Sequence, residues 1–294
     1  MSRAVPPPPL SDVPLSGGLY VVATPIGNLR DITLRALDVL AGADLILAED
    51  TRVTGKLLAA YGISGKMERH DEHAAERARP KAMAVLAEGG RVALVSDAGT
   101  PLISDPGYRL VREAAAAGHP VHPIPGPSAL LAGLSVAGLP SDRILFAGFP
   151  PPRGAARRSF LTEFAGLRAT LVFFEGASRL GESLSDMAEV FGPREAVVCR
   201  ELTKLYETVV RGPLDLLAAD PSLAAPKGEI VILVAPGREA QATAADADMA
   251  LREALGRLKP ADAAAEVAKA LGLARRDLYR RALELKAEPV DGEP

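Results

Sequence analysis

Short apolar runs alternate with helix-patterned stretches through the first half of the chain. Leu19–Ala23, Leu45–Ala48, Val92–Val95 and Val121–Ile124 have strand length and strand character. Between and around them, Asp31–Leu40, Val53–Tyr61, Arg77–Glu88 and Tyr108–Ala117 carry helical periodicity. Asp31 reads as an N-cap, and Gly89-Gly90 as a stop. This alternation predicts βαβ units, hence a parallel sheet with helices on its faces. Three strands leave through loops of special backbone chemistry. They are Thr24-Pro25-Ile26-Gly27-Asn28, the run SDAGTPLISDPG from Ser96 to Gly107, and Pro125-Gly126-Pro127-Ser128-Ala129. Such exits predict one ligand cleft at the C-terminal edge of the sheet, where small residues let backbone approach a ligand closely.

The pattern changes at Ser128. An Ala/Gly/Leu helix leads to strand-like runs at Ile144–Phe149, Thr170–Phe174, Ala196–Arg200 and Glu229–Ala235, with helices at Arg157–Phe164 and Leu180–Val190. Strands dominate its second half, which predicts a mixed sheet. After Pro236-Gly237 and an Ala/Gln/Thr/Asp linker, Asp248–Leu258, Pro260–Leu271 and Ala274–Leu285 read as three short helices. Their AAAEVAKALGLARRDLYRRALEL segment has the helix, glycine turn and basic helix of a helix-turn-helix. The expected organisation is a disordered tail at 1–17, an α/β domain at 18–126, a second α/β domain at 127–237 and a basic helical domain at 245–288.

Charge sharpens this picture. The whole chain carries a net −3, yet nine Lys/Arg face five Asp/Glu between Arg252 and Lys286. General nucleic-acid affinity is therefore not expected, and a local basic surface is. Arg275, Arg276, Tyr279 and Arg280, with Arg281, read as contacts to RNA phosphates in preference to a solvated flank. The single cysteine, Cys199, excludes an internal disulfide and a thiolate zinc site, and fits a buried strand residue of a cytoplasmic protein. No apolar run approaches the ~18 residues of a membrane span. The proline-rich start, Pro6–Pro9, holds no apolar signal core.

Other polar groups divide between chemistry and scaffolding. Asp50 and Arg52, at the end of the second strand, are catalytic candidates: Asp50 to orient or deprotonate a hydroxyl, Arg52 to hold a phosphate. Helix N-capping explains Asp50 equally well. Glu201 and Lys204 read as a structural ion pair. His70 and His73 are spaced like residues on one helical turn but lack a third ligand, so no metal is expected. His119 and His122 read as solvated edge residues, and Phe173-Phe174 as core packing.

Six long segments carry a resemblance: TPIGNLRDITLRAL, AEDTRVTGKLL, SDAGTPLISDPGYRLV, IPGPSALLAGLSVAGLPSDRILFAGFPP, RELTKLYET and KGEIVILV. Together, from about Gly18 to Leu285, the chain resembles the tetrapyrrole methylase superfamily, in its branch that methylates small-subunit ribosomal RNA. The resemblance implies a two-domain α/β fold with the cofactor cleft between the domains, plus the small C-terminal helical unit. It implies S-adenosylmethionine as cofactor, a homodimer, and 16S rRNA or the small ribosomal subunit as partner. The implied reaction is 2′-O-methylation of cytidine 1402. By position it assigns cofactor contacts to Pro25, Gly27, Asp97, Gly99, Thr100, Ile103, Ser128, Ala129, Leu202 and Glu229.

Two departures bear on the branch. Where the superfamily has G-x-G-P-G-D, this chain has Ala23-Thr24-Pro25-Ile26-Gly27-Asn28, and where it tends to have G-G-D-P, this chain has Ala98-Gly99-Thr100-Pro101. Both speak against a porphyrinoid substrate. His70-Asp71-Glu72-His73 departs from the RNA branch, which commonly shows an Asn there, and leaves His73 without an assigned role. The competing expectations are a tetrapyrrole or other small-molecule methyltransferase of the same fold, and a ligand-sensing DNA-binding regulator.

Overall fold

The computed structural model describes residue 10 and residues 14–224, 226–237 and 244–287. Two compact units divide at Gly237. The first holds two five-stranded sheets.

Strands β1 (Gly18–Val22), β2 (Leu45–Ala48), β3 (Met67–Arg69), β4 (Arg91–Val95) and β5 (Val121–Ile124) form the first sheet, in the order β3-β2-β4-β1-β5. Every pairing is parallel. Central strands buried on both faces need continuous apolar runs, and β2 and β4 supply them. Helices α1 (Leu34–Gly42), α2 (Thr51–Ala60), α3 (Ala75–Ala87) and α4 (Tyr108–Ala116) make the crossovers. Asp31 is not the cap of the first helix. It ends a separate 3-10 turn, Leu29–Asp31, capped by Asn28, and α1 starts later because the Thr33 hydroxyl accepts the Ala36 N–H at 3.2 Å. The short strand β3 has too few apolar residues to announce itself.

The tail assigned to 1–17 is ordered at its C-terminal end. The Tyr20 hydroxyl donates to the Ser16 carbonyl at 2.6 Å, and Leu15 packs on the first core. Residues 1–9 and 11–13 lie outside the described residues.

The second sheet is mixed. Strands β6 (Ile144–Gly148), β7 (Thr170–Gly176), β8 (Glu195–Arg200), β9 (Thr208–Pro213) and β10 (Glu229–Val234) run in the order β6-β7-β10-β8-β9, with only β6–β7 parallel. One face packs on α6 (Gly154–Thr162), α7 (Leu180–Phe191) and α8 (Leu214–Ala219), around Phe173, Leu184 and Met187. The other face meets α5 (Ala129–Ala137). Gly133 permits this approach: a Cβ there would lie 3.2 Å from a Val231 methyl. Arg157 is buried beneath α7 and donates from Nε to Asp186 at 2.5 Å.

The second unit is helical: α9 (Ala244–Leu255), α10 (Pro260–Leu271) and α11 (Arg275–Ala287). Gly272, with φ of 66°, ends α10 in the left-handed conformation that glycine adopts without penalty. Leu251, Val267, Leu278 and Leu285 form its core. Arg281 ties α11 to α9 through both oxygens of Asp248. Residues 238–243, within the linker expected after Gly237, and residue 288 of the helical domain lie outside the described residues.

Candidate active site

Hydrogen bonds lace the three strand exits together. Thr24 and Gly99 exchange backbone bonds at 2.9 and 3.0 Å. The Thr24 hydroxyl donates to the Ser96 carbonyl at 3.1 Å, and the Thr100 hydroxyl to the Pro127 carbonyl at 3.1 Å. Asp97 accepts the Asp50 N–H at 2.9 Å, which draws the end of β2 into the same group. Gly99 has a φ of 84°, and a Cβ there would stand 3.3 Å from Ile26. Backbone of this kind suits glycine, and the bridge depends on it.

These loops face the second sheet across a cleft with two adjoining chambers. The first, about 270 Å³, is lined by Pro25, Gly27, Val53, Asp97, Lys204 and Glu229 among others. The second, about 300 Å³, takes in Glu49, Ile103, Ala129, Phe149, Phe174 and Ile230. Ile26, Asp97, Ala98 and Glu229 border both.

The sequence-assigned positions separate accordingly. Pro25, Gly27, Asp97, Ile103, Ala129 and Glu229 line the cleft. Gly99 and Thr100 shape it through the bonds just given. Ser128 caps α5, accepting the Leu131 N–H. Leu202 lies in the apolar cluster with Ile26 and Val231. Among the described residues, the non-glycine residues with left-handed backbone are Leu102, Ser104, Glu201 and Thr203. They bracket Ile103 and Leu202, one apolar residue in each of two loops. Strain of this kind persists where the surroundings over-determine it, and it gathers at functional sites.

Asp50 is the N-cap of α2. It accepts the Arg52 N–H at 2.8 Å and holds the Arg52 guanidinium through both carboxylate oxygens. Those bonds from Arg52 keep the Asp50 carboxyl far below the ordinary range, so Asp50 is a weak base. Arg52 is itself exposed but engaged with Asp50. Deeper in, burial raises the Glu49 carboxyl, and the Asp97 charge raises it further.

Lys204 joins the cleft as more than the partner of Glu201. Its ammonium reaches Glu201 at 2.8 Å and Glu229 at 3.0 Å, and its chain lies across Gly27. Phe173 is core, as read, but Phe174 is not. Successive strand residues point to opposite faces, so Phe174 turns to the cleft and meets Phe149 edge-on at 5.6 Å. His122 is no solvated edge residue. Its ring stacks on Tyr20 at 4.6 Å, and its Nε2 is buried. Cys199 is buried, which pushes its thiol up to about 11. Among the described residues, no three metal-ligating side chains are placed to hold an ion, and no helix is long and apolar enough to cross a membrane.

In the helical unit, Arg275, Arg276, Tyr279 and Arg280 are all exposed. Arg276, Tyr279 and Arg280 share one helical face. Arg280 pairs with Asp277 at 3.3 Å, while Arg275 and Arg276 form no ion pair among the described residues.

Residues 18–218 match the family described as Tetrapyrrole (Corrin/Porphyrin) Methylases, and residues 241–286 match the RsmI C-terminal HTH domain. The fold resembles the uroporphyrin-III-C-methyltransferase of Thermus thermophilus (TM-score 0.52, 24% identity, 74% of this chain and 94% of that one). It also resembles the methyltransferase CobJ (TM-score 0.57, 20% identity, 75% and 95%). The chain is 55% identical over 273 residues to ribosomal RNA small subunit methyltransferase I of Erythrobacter litoralis, covering 93% of this chain and 97% of that protein. It is 50% identical over 282 residues to the protein of that name from Mesorhizobium japonicum, covering 95% and 96%. The chain belongs to the ribosomal RNA small subunit methyltransferase I family and is a methyltransferase.

Proposed function

We propose that this enzyme transfers the methyl group of S-adenosylmethionine to the ribose 2′-hydroxyl of cytidine 1402 in 16S rRNA, acting in the cytoplasm as a homodimer. The carrying observation is the two-chambered cleft, whose lining suits that cofactor. Apolar Ile26, Ile103, Phe174 and Val231 offer a bed for the adenine and the methionine stem. Asp97, Glu229 and Glu49 offer acceptors for ribose hydroxyls and a negative surround for a cationic sulfonium. Gly99 brings backbone within reach where a side chain would crowd Ile26.

The cofactor supplies an activated methyl, so the protein's work is alignment and exclusion of water, together on the order of 7–11 kcal/mol in favourable cases. The loops at Pro25–Gly27 and Gly99–Ile103 would hold one side of the donor, and β7 and β10 the other. The names of the relatives support an rRNA acceptor. The exposed face of Arg275, Arg276, Tyr279 and Arg280 supports contact with its phosphates. The test is methyl transfer from labelled S-adenosylmethionine to small ribosomal subunits that lack the modification, with the nucleoside identified by mass spectrometry. A 2′-O-methylated cytidine is the expected product. Tight cofactor binding with no transfer to subunits or to naked 16S rRNA overturns the reading.

A further inference from the structure

Beside the cleft lies an outer cavity of about 460 Å³ that none of the roles above uses. It opens between the segment after β3 and the N-terminus of α4, with His70, His73, Glu76, Arg79 and Arg109 on its walls. Three features mark it as a polar binding space. His70 is 3% exposed, and its Nδ1 has no hydrogen-bond partner. Gly107, the N-cap of helix α4, has no side chain to cap it, so the first amides of the helix are open to an anion. Arg109 is exposed and, among the described residues, is held only by Glu76, which it shares with Arg79.

The outer cavity and the inner cleft share one lining residue, Asp105. In-line methyl transfer needs the acceptor oxygen to approach the methyl carbon from the side opposite sulfur. With the donor in the cleft, the acceptor must enter from an adjoining space, and the wall common to both is where the reacting atoms meet. We propose that the outer cavity receives the target nucleotide, drawn out of its RNA stack, and that Asp105 is the general base for the 2′-hydroxyl. This rests on the 2′-O-methylation reading above.

The step balances without a further reactant. The hydroxyl oxygen forms a bond to the methyl carbon as the carbon–sulfur bond breaks, and its electron pair returns to sulfur, which leaves as the neutral thioether. The hydroxyl proton passes to the Asp105 carboxylate and from there to water.

Asp105 is suited where Asp50 is not. Burial, then the charge of Glu49, push the Asp105 carboxyl up to about 6, with Asp97 adding to them and the Ser96 hydroxyl opposing. A general base works best with its pKa near the working pH. The groups around it are Glu49 from the end of β2, Asp97 after β4, and His70, Glu76 and Arg109 across the outer cavity.

The experiment uses the full-length enzyme: single-turnover transfer to saturating small subunits between pH 5 and 9, steady-state transfer over a range of subunit concentrations, and cofactor affinity by calorimetry. Asp105→Asn is expected to slow transfer by about 10²–10⁴-fold with cofactor affinity little changed, and Asp105→Glu to recover part of the rate. The parent rate is expected to rise with pH through about 6, and Asp105→Asn to lose that limb. Arg109→Glu is expected to raise the KM for subunits about tenfold with kcat nearly unchanged. A near-normal rate in Asp105→Asn, a retained limb near pH 6, or cofactor binding lost in step with rate overturns the base. An unchanged KM in Arg109→Glu overturns the outer cavity as the nucleotide site. Absence of transfer by the parent enzyme overturns the rRNA reading itself, which distinguishes that failure from a failure of Asp105.

Discussion

The two sheets border the same cleft and contribute to it in opposite ways. The all-parallel first sheet gives loops. Its strands end together at one edge, and there Thr24–Gly27, Glu49 and Ser96–Asp105 present backbone and carboxylates. The mixed second sheet gives a wall. Phe174 and Val231 come from β7 and β10 themselves. Loops can bring polar groups to a reacting centre, while a sheet face can be apolar, flat and stiff. A donor with a charged sulfonium and an apolar adenine calls for one of each.

If the second sheet is chiefly scaffold and wall, damage at its outer face should cost stability and spare binding. Arg157→Ala removes a buried cation and leaves Asp186, which is nearly as buried, with Arg158 as its remaining partner. Breaking a buried pair outright costs about 3–5 kcal/mol, and the Arg158 contact lowers that cost. The expected result is a large fall in thermal midpoint by calorimetry, with cofactor affinity of the folded protein retained. A weakened affinity would mean that the outer face speaks to the cleft. In the first sheet the converse is expected. Gly99→Val places a branched side chain at a φ of 84° and against Ile26. Strain of ~1–3 kcal/mol should appear as a 10- to 100-fold loss of cofactor affinity, with a smaller change in thermal midpoint.

The same contrast governs what could be read from the chain. The strands and exit loops of the first sheet are local patterns, and the three loops are found where their Gly, Pro and Asp residues place them. Asp50 shows the limit of such reading: residue type and position allow both a base and a cap, and only the Arg52 guanidinium on its carboxylate separates them. The second sheet depends on pairing between distant segments. Strand β9 and helix α8 were not legible, because β9 is a half-buried edge strand with a weak apolar pattern. Phe174, Phe149 and Lys204 reach the cleft through tertiary packing. Alternation along β7 held the signal for Phe174, since a buried Phe173 obliges its neighbour to face the other way. Asp105 lies within the SDAGTPLISDPG run, but nothing local marks it there, because its environment comes from burial and from Glu49.

The helical unit offers a way to test whether RNA contact is separate from the cleft. Arg275→Glu with Arg276→Glu should weaken binding to 16S rRNA by about tenfold or more and flatten the slope of log affinity against log salt by roughly two. Cofactor affinity should not change. A changed cofactor affinity would place these arginines in the catalytic machinery, and an unchanged salt slope would remove them from the RNA contact.

The smallest expected effect lies at the far edge of the first sheet, where strands β2 and β4 begin. Asp44 accepts the Arg91 N–H at 2.8 Å and the guanidinium at 2.9 and 2.8 Å. These bonds lower its carboxyl to about 2. A carboxylate whose folded value lies below its unfolded value of ~3.9 stabilises the fold above that pH, and the contribution fades as pH falls from about 4 to 2. Both side chains are more than a third exposed (34% and 41%), so solvent screens the pair and its worth is about 0.2–1 kcal/mol. Asp44→Asn should therefore lower the thermal midpoint slightly at pH 7, and the difference from the parent should vanish near pH 2. Methyl transfer should be untouched, because the chemistry sits at the opposite ends of the same strands. A change in transfer rate would show that the parallel sheet carries strain from one edge to the other, and the division between a scaffold edge and a chemical edge would then fail.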